Sequence, residues 1–373
     1  MSPATSPAHS DEMRTHALEH SIDRALLAPS VHNTQPWIVE LARDSVALRA
    51  DRSRQLTVID PHGRELLISG GAALLNLRAA LADRNWAIQV DRLPDPDDPD
   101  LLAVVRPVEG SADGELAVLA PAIDRRRTNR RRFCSDPVPD EVVDRLSRVA
   151  AAEDADLVPV VREEDRRLVA RLTQQADEAQ NADPAYRAEI RRWTNRSPED
   201  RDGVQAAAVP HVDGSAHDDL PLRDFDSAGA GMLPPDTHST SDQTLLLLAT
   251  RTDDPLAWLR TGEAMERLLL ELTRLDWAAS PITQAVEVPL TRSQLRSALT
   301  WGAHPQVLLR IGRAAATTPS PRRRRDDMVT GSTRPPEPMT RHVRPSPVGW
   351  PPSSRERNEP RPVPDGRGGT VWI

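Results

Sequence analysis

The chain contains no lysine; its 48 basic residues are all arginine. Every fixed cation is therefore a guanidinium, planar and permanently charged, with a fork of donors suited to phosphate and carboxylate. A Walker-type phosphate loop, which needs a lysine, is excluded. Cysteine is nearly absent too. The single Cys134 rules out an internal disulfide and any site built from several thiolates. Aromatic residues are only 3%, with one tyrosine and two phenylalanines. There is no GxGxxG after a strand, no GxSxG elbow, and no HExxH or CxxC. These absences remove the common dinucleotide folds, the serine hydrolases and most metal centres. No apolar run approaches the ~20 residues of a membrane helix. The polar stretch 1–12 lacks an apolar signal core. The expectation is a cytoplasmic protein without membrane contact. A net charge of −8 argues against a general nucleic-acid binder, which needs a basic face.

What is present fits a globular protein. A length of 373 residues suits two domains or one large duplicated one, and 38% hydrophobic residues can build a substantial core. Proline is abundant, at 35 residues, and crowds the C-terminal end, so residues 331–373 read as a disordered Pro/Arg-rich tail. Residues 1–12 read as a flexible leader. Apolar spacing predicts helices over 13–27, 68–86, 119–132, 163–193 and 259–277. Strands are expected over 38–41, 45–50, 87–93, 101–108, 157–161 and 306–311. Residues 196–240 have little periodicity and read as an insertion, either a covering segment or disorder.

One pattern recurs. The segment "GGAALLNLRAALADRNWAIQV … DLLAVVRPV" parallels "TGEAMERLLLELTRLDWAASP … PQVLLRIGR". Each is a helix that starts on a small residue, ends at a tryptophan and leads to strands. This predicts a duplication, with halves at 13–118 and 119–330.

Four clusters could carry chemistry. Arg125–Arg132 could grip a phosphate, or be a solvated charged face. Pro29–Trp37 could set Ser30, Asn33 and Gln35 against a polar heterocycle, or simply turn into a strand. Pro281–Gln284 could offer backbone N–H groups. Pro321–Arg325 could be a second phosphate clamp, or the start of the tail.

Two of these segments resemble known motifs. "APSVHNTQPW" (28–37) resembles the PSxxNxQPW segment, and "RRTNRRRF" (126–133) the RxSxR signature, of the nitroreductase superfamily and most closely its Acg-type branch. The resemblance covers residues 14–327. It implies an α+β fold of antiparallel-rich sheets packed with helices, with two related halves fused into a pseudo-dimer. It implies one complete FMN site, because the first motif lies in one half and the second in the other. Arg126, Arg127, Thr128, Asn129 and Arg130 would serve the phosphate and ribityl chain. Pro29, Ser30, Val31, Asn33 and Gln35 would approach the ring, with Pro281, Ile282 and Gln284 beside it. Arg322 and Arg324 would close on the phosphate. No protein side chain is assigned a catalytic role, since the flavin carries the redox chemistry. NAD(P)H is the implied donor. The chain departs from the family in ending its proline–isoleucine segment on Thr283-Gln284. Its insertion 196–240 resembles the lid of the Acg-type branch. Three readings stay open: an FMN-dependent NAD(P)H oxidoreductase, a protein that sequesters FMN with little turnover, and a globular protein that has lost its cofactor. The oligomeric expectation is a monomer with an internal pseudo-two-fold, or a dimer.

Overall fold

The computed structural model describes residues 7–131, 133–134, 136–194, 196–197, 199–209, 223, 225, 231–232 and 244–331, and two short strands at 362–364 and 370–372. The elements run α1 (Pro7–Ala25), β1 (Trp37–Leu41), β2 (Val46–Ala50), α2 (Arg64–Asp83), β3 (Ala87–Arg92), β4 (Leu101–Val108) and α3 (Gly114–Ala117). They continue with α4 (Asp140–Ala151), β5 (Asp156–Val160), α5 (Glu163–Ala182), α6 (Pro184–Thr194), β6 (Thr244–Thr250) and α7 (Pro255–Arg274). The chain then forms β7 (Ala278–Ile282), α8 (Gln284–Glu287), α9 (Pro289–Leu295), β8 (His304–Gly312) and β9 (Val329–Gly331), with β10 (Pro362–Pro364) and β11 (Thr370–Trp372) beyond.

The duplication is visible in the strand order. The first sheet runs β3-β4-β2-β1-β9, and the second, read from its other edge, β7-β8-β6-β5. Ignoring β9, the two orders match, and all pairings within each half are antiparallel. β9 then crosses from the second half to pair in parallel with β1, tying the halves together.

The central helices match residue by residue. Arg64 and Pro255 open them, Asp83 and Arg274 close them, and Trp86 and Trp277 follow. After each helix the chain turns on a left-handed residue, Asn85 at φ 62° and Asp276 at φ 59°. α7 is started by Asp254, whose carboxylate accepts from the Ala257 N–H at 2.9 Å, and by Pro255, whose ring presets the first helical φ. The two helices cross at Gly71 and Gly262. A Cβ on Gly71 would lie 1.9 Å from the Leu259 carbonyl oxygen; one on Gly262 would lie 1.9 Å from that of Ile68. Only glycine lets the backbones approach so closely. α2 is long and apolar enough to cross a membrane, yet it is almost wholly buried between α1 and α7, as a core helix.

Several expectations need correction. α1 begins at Pro7, inside the expected leader, because proline suits a first turn and the Asp11–Arg14 ion pair lies along the helix. The helix expected over 163–193 breaks at Asp183, which precedes Pro184 and takes an extended ψ of 117°. The helix expected over 119–132 is absent. A short 3-10 turn at Ala120–Ala122 gives way to extended chain that pairs with β7 instead. Within the expected disordered tail, β10 and β11 pair antiparallel, with Val363 opposite Val371. Residues 332–361 of that tail, and most of the 196–240 insertion, lie outside the described residues.

Candidate functional site

The turn between α1 and β1 holds three left-handed non-glycine residues, His32 at φ 45°, Asn33 at 56° and Gln35 at 50°. Each costs on the order of 1–3 kcal/mol, so the surroundings must enforce them. The Ser30 hydroxyl accepts from the Gln35 N–H at 2.8 Å, and Ser69 of α2 accepts from the Val31 N–H at 3.1 Å. The two amide side chains are engaged within the protein. Asn33 donates to the carbonyls of Gly203 and Pro321, each at 3.1 Å, and accepts from Arg322 at 3.1 Å. Gln35 donates to the Arg201 carbonyl at 2.9 Å and accepts from the Arg323 N–H at 2.8 Å. These amides, expected to approach a heterocycle, clasp the Ser30–Gln35 turn to residues 201–203 and to the 320–323 strap. Trp37 is fully buried in the core.

The arginine-rich run lies along the β7 edge. Thr128 bridges Ala279 in parallel, and the Asn129 N–H donates to the Ala279 carbonyl at 3.0 Å. The Asn129 side chain donates to the Ala315 carbonyl at 2.8 Å and accepts from the Arg131 N–H at 2.9 Å. With Thr128 and Asn129 fixed, the flanking arginines are set in place. Arg126 turns inward and is buried, its Nε 3.6 Å from Glu266 on α7. Its Nε and Nη1 are buried without a hydrogen-bond partner. Arg322 reaches the same place from the strap. It donates to the Leu27 carbonyl at 2.9 Å and to Asn33, yet its buried Nε is also unpartnered.

The electrostatics at this spot do not balance. Burial, then the charges of Arg126 and Arg127, push Arg322 down to about 9. Burial lowers Arg126 as well. The opposing carboxylate, Glu266, has no exposed surface, and neither of its oxygens accepts a hydrogen bond of normal geometry. Burial raises Glu266 to about 7, against the pull of Arg126, Asn76 and Arg322. Guanidinium donors left unfilled beside one poorly ionised carboxylate form a site short of negative charge.

Beside this spot lies a second group. The Arg130 guanidinium sits 5.0 Å from the centroid of the Phe225 ring, and burial pushes it down to about 10. Phe225 meets His32 edge to face at 5.4 Å. His32 is buried, its Nδ1 unpartnered, and burial pushes it down to about 3, so it is neutral at ordinary pH. Arg223 donates to Tyr186 at 2.9 Å and to Glu287 at 2.5 Å. Burial would raise Glu287, but the Arg223 charge overcomes it and holds the carboxyl near 2; burial raises Glu65, next to Arg64, to about 8.

The remaining expected residues have the following partners. Pro281 and Ile282 pair with Leu309 and Leu308 inside the sheet, and the Gln284 amide donates to Asp177 at 3.0 Å. Arg324 is exposed and does not join Arg322; the strap turns its neighbour Arg323 inward, to the Gln35 carbonyl at 3.2 Å and to Asp51. Arg127 is partly exposed and donates to the carbonyls of Asp124 and Arg126. Glu266, Asn76, Arg223 and Phe225 belong to none of the four clusters that the sequence marks out. One signal pointed to Glu266: at the matching place in the repeat, α2 carries the fully buried Leu75.

No protein-family model matches the chain. It is 37% identical over 312 residues to the putative NAD(P)H nitroreductase Rv3131 of Mycobacterium tuberculosis, covering 82% of this chain and 88% of that one. It is 30% identical over 304 residues to the putative NAD(P)H nitroreductase acg of the same organism, covering 80% of this chain and 90% of that one. Among solved structures, a putative nitroreductase from Anabaena variabilis superposes over 84% of this chain and 90% of its own, with a TM-score of 0.48 and 9% identity.

Proposed function

Because the chain belongs to the nitroreductase family, in the branch that contains Acg, we propose that it binds one FMN between its halves and carries hydride from NAD(P)H through it to an oxidised acceptor. The observation that supports this most is the cluster of Arg126, Arg127 and Arg322, drawn from two segments, in which Arg126 and Arg322 keep buried, unfilled donors. A phosphate monoester supplies the missing charge and several acceptor oxygens. In this reading Arg126 and Arg322 hold the phosphate, and Arg127 adds charge from the partly exposed side. Thr128 and Asn129 fix the run on β7, while Pro29, Ser30 and Val31 form the wall from the first half. Arg130, a cation with a ring contact and no carboxylate contact among the described residues, is available to negative charge that develops near it. The halves divide near residue 118, the chain works as a monomer with an internal pseudo-two-fold, and its location is cytoplasmic.

The test is spectroscopic. Purified protein mixed with FMN should show the bound-flavin band, and NAD(P)H should bleach it under anaerobic conditions. A chain that stays colourless with excess FMN contradicts the cofactor assignment.

A second reading, FMN sequestration with little turnover, is favoured by Phe225 and Arg223. Both come from the 196–240 insertion and lie against His32, Arg130, Tyr186 and Glu287. Under it, replacing both residues with alanine raises the bleaching rate by NAD(P)H severalfold; an unchanged rate removes that reading.

A further inference from the structure

Among the described residues, the Glu266 carboxylate is a buried carboxylate with both oxygens poorly satisfied. It has no exposed surface, and both oxygens lack a hydrogen bond of normal geometry. It sits on α7 facing three elements. Arg126, with Arg127 beside it, comes from the run along β7; Arg322 comes from the strap before β9; Asn76 comes from α2. The duplication shows that the carboxylate is not part of the packing plan. The helix register that matches Gly71 with Gly262 places Leu75 at the corresponding position of α2, fully buried. A helix core that accepts leucine there does not need a charge.

We propose that Glu266 is an internal counter-ion, which pairs loosely with Arg126 and offsets the nearby charge of Arg322 in the empty protein, yields to the phosphate of the incoming cofactor, and takes up a solvent proton as it does so. The proposal rests on the FMN reading above and deepens it. The physics is competition for two cations. Without phosphate, an ionised Glu266 offsets part of the like-charge repulsion between the arginines. A phosphate dianion satisfies both guanidiniums through shorter, better-directed bonds than the 3.6 Å contact allows. It also brings negative charge beside a buried carboxylate, and like charges in a poorly solvated place are relieved by protonating one of them. Burial already brings Glu266 to about 7, so little further pressure is needed. Cofactor binding and proton binding are then linked, each strengthening the other. Glu266 is a positioning residue, acting through Arg126 and Arg322 rather than touching the reacting atoms.

The experiment is titration calorimetry of the full, cofactor-free chain at pH 8, in two buffers of different ionisation enthalpy. At that pH the phosphate is already a dianion, since its second pKa is about 6, so it releases no proton of its own. FMN binding should take up close to one proton, and its Kd should weaken toward tenfold per pH unit above neutrality. Riboflavin, which has the ring but no phosphate, should bind more weakly with no proton uptake. Glu266→Gln should abolish the uptake and flatten the pH dependence; Glu266→Leu, which copies the α2 position, should do the same and guards against a folding defect peculiar to glutamine. FMN binding without proton uptake, or with uptake unchanged in both variants, overturns the inference while leaving the cofactor assignment intact. Failure to bind FMN at all overturns the assignment, and this inference with it.

Discussion

The pair of central helices has two sides related by the internal duplication, and arginine behaves differently on each. On one side, Arg126 and Arg322 keep unfilled donors beside a single carboxylate. On the other, Arg78, Arg92 and Arg267 each grip a carboxylate, although the buried Nε of Arg267 has no hydrogen-bond partner among the described residues. Arg92 and Arg78 share Glu263 at 2.6 Å each, Arg78 also reaches Glu153 at 2.7 Å, and Arg267 joins Glu153 at 2.8 Å to Glu115 at 2.9 Å. The connections differ in the same sense. Between α1 and β1 the chain runs through the strained 26–36 turn, whereas between α4 and β5 it needs only residues 152–155, one of which is Glu153. Asn76 on the open side corresponds to Arg267 on the closed one. Where a long turn and an amide stand on one face, a short turn and an ion lattice fill the other. A repeated scaffold thus carries two electrostatic designs, one in which carboxylates face most of the arginines and one in which a single carboxylate faces Arg126 and Arg322.

That contrast can be broken at its axis. Gly262→Ala pushes a methyl group into the Ile68 carbonyl and separates the helices on both sides; a loss above about 4 kcal/mol is expected in urea unfolding. Next, the sides should part company. Glu263→Ala leaves Arg78 and Arg92 short of their shared, fully buried carboxylate and should cost about 3–5 kcal/mol of stability, with the FMN Kd nearly unchanged. Arg126→Ala should do the reverse. Loss of charge-assisted bonds to the phosphate, about 1.5–3 kcal/mol, weakens the FMN Kd by roughly 10- to 150-fold, as fluorescence titration would show. Equal effects of these two substitutions on both readouts would erase the distinction.

A further effect is a pH dependence. The folded-state pKa of Glu266 is raised from 4.5 to about 7, so the folded protein holds that proton more tightly than the unfolded chain. Its contribution to stability is complete below 4.5 and is lost as pH rises through 7. Unfolding measured from pH 4 to 8 without FMN should fall less steeply in Glu266→Gln than in the unmodified chain; identical slopes would show that Glu266 does not titrate in this range.

The fold was readable where the pattern was periodic. The helices α2 and α7, their terminal tryptophans and the following strands were all evident in spacing, and their likeness predicted the duplication. The two motifs were legible as words but not as geometry. Nothing local in the run 125–132 says that Thr128 will bridge Ala279, because β-pairing with a strand 150 residues away is a tertiary fact, and it overrode a helical appearance. Asn33 and Gln35 looked free to bind a ligand, since their partners, Gly203, Arg201 and the strap, are remote in sequence. Four consecutive arginines at 322–325 are indistinguishable on paper; only the path of the strap turns Arg322 and Arg323 inward and leaves Arg324 in solvent.

The central claim, one anion-completed site per duplicated chain, is tested most directly by the stoichiometry of FMN. Saturated protein, freed of excess flavin, can be assayed for FMN by absorbance after denaturation and for protein by quantitative amino-acid analysis. The account predicts one FMN per chain, lost in an Arg126→Ala/Arg322→Ala double variant and retained in Glu263→Ala. Two FMN per chain, or one that survives the double arginine substitution, would contradict it.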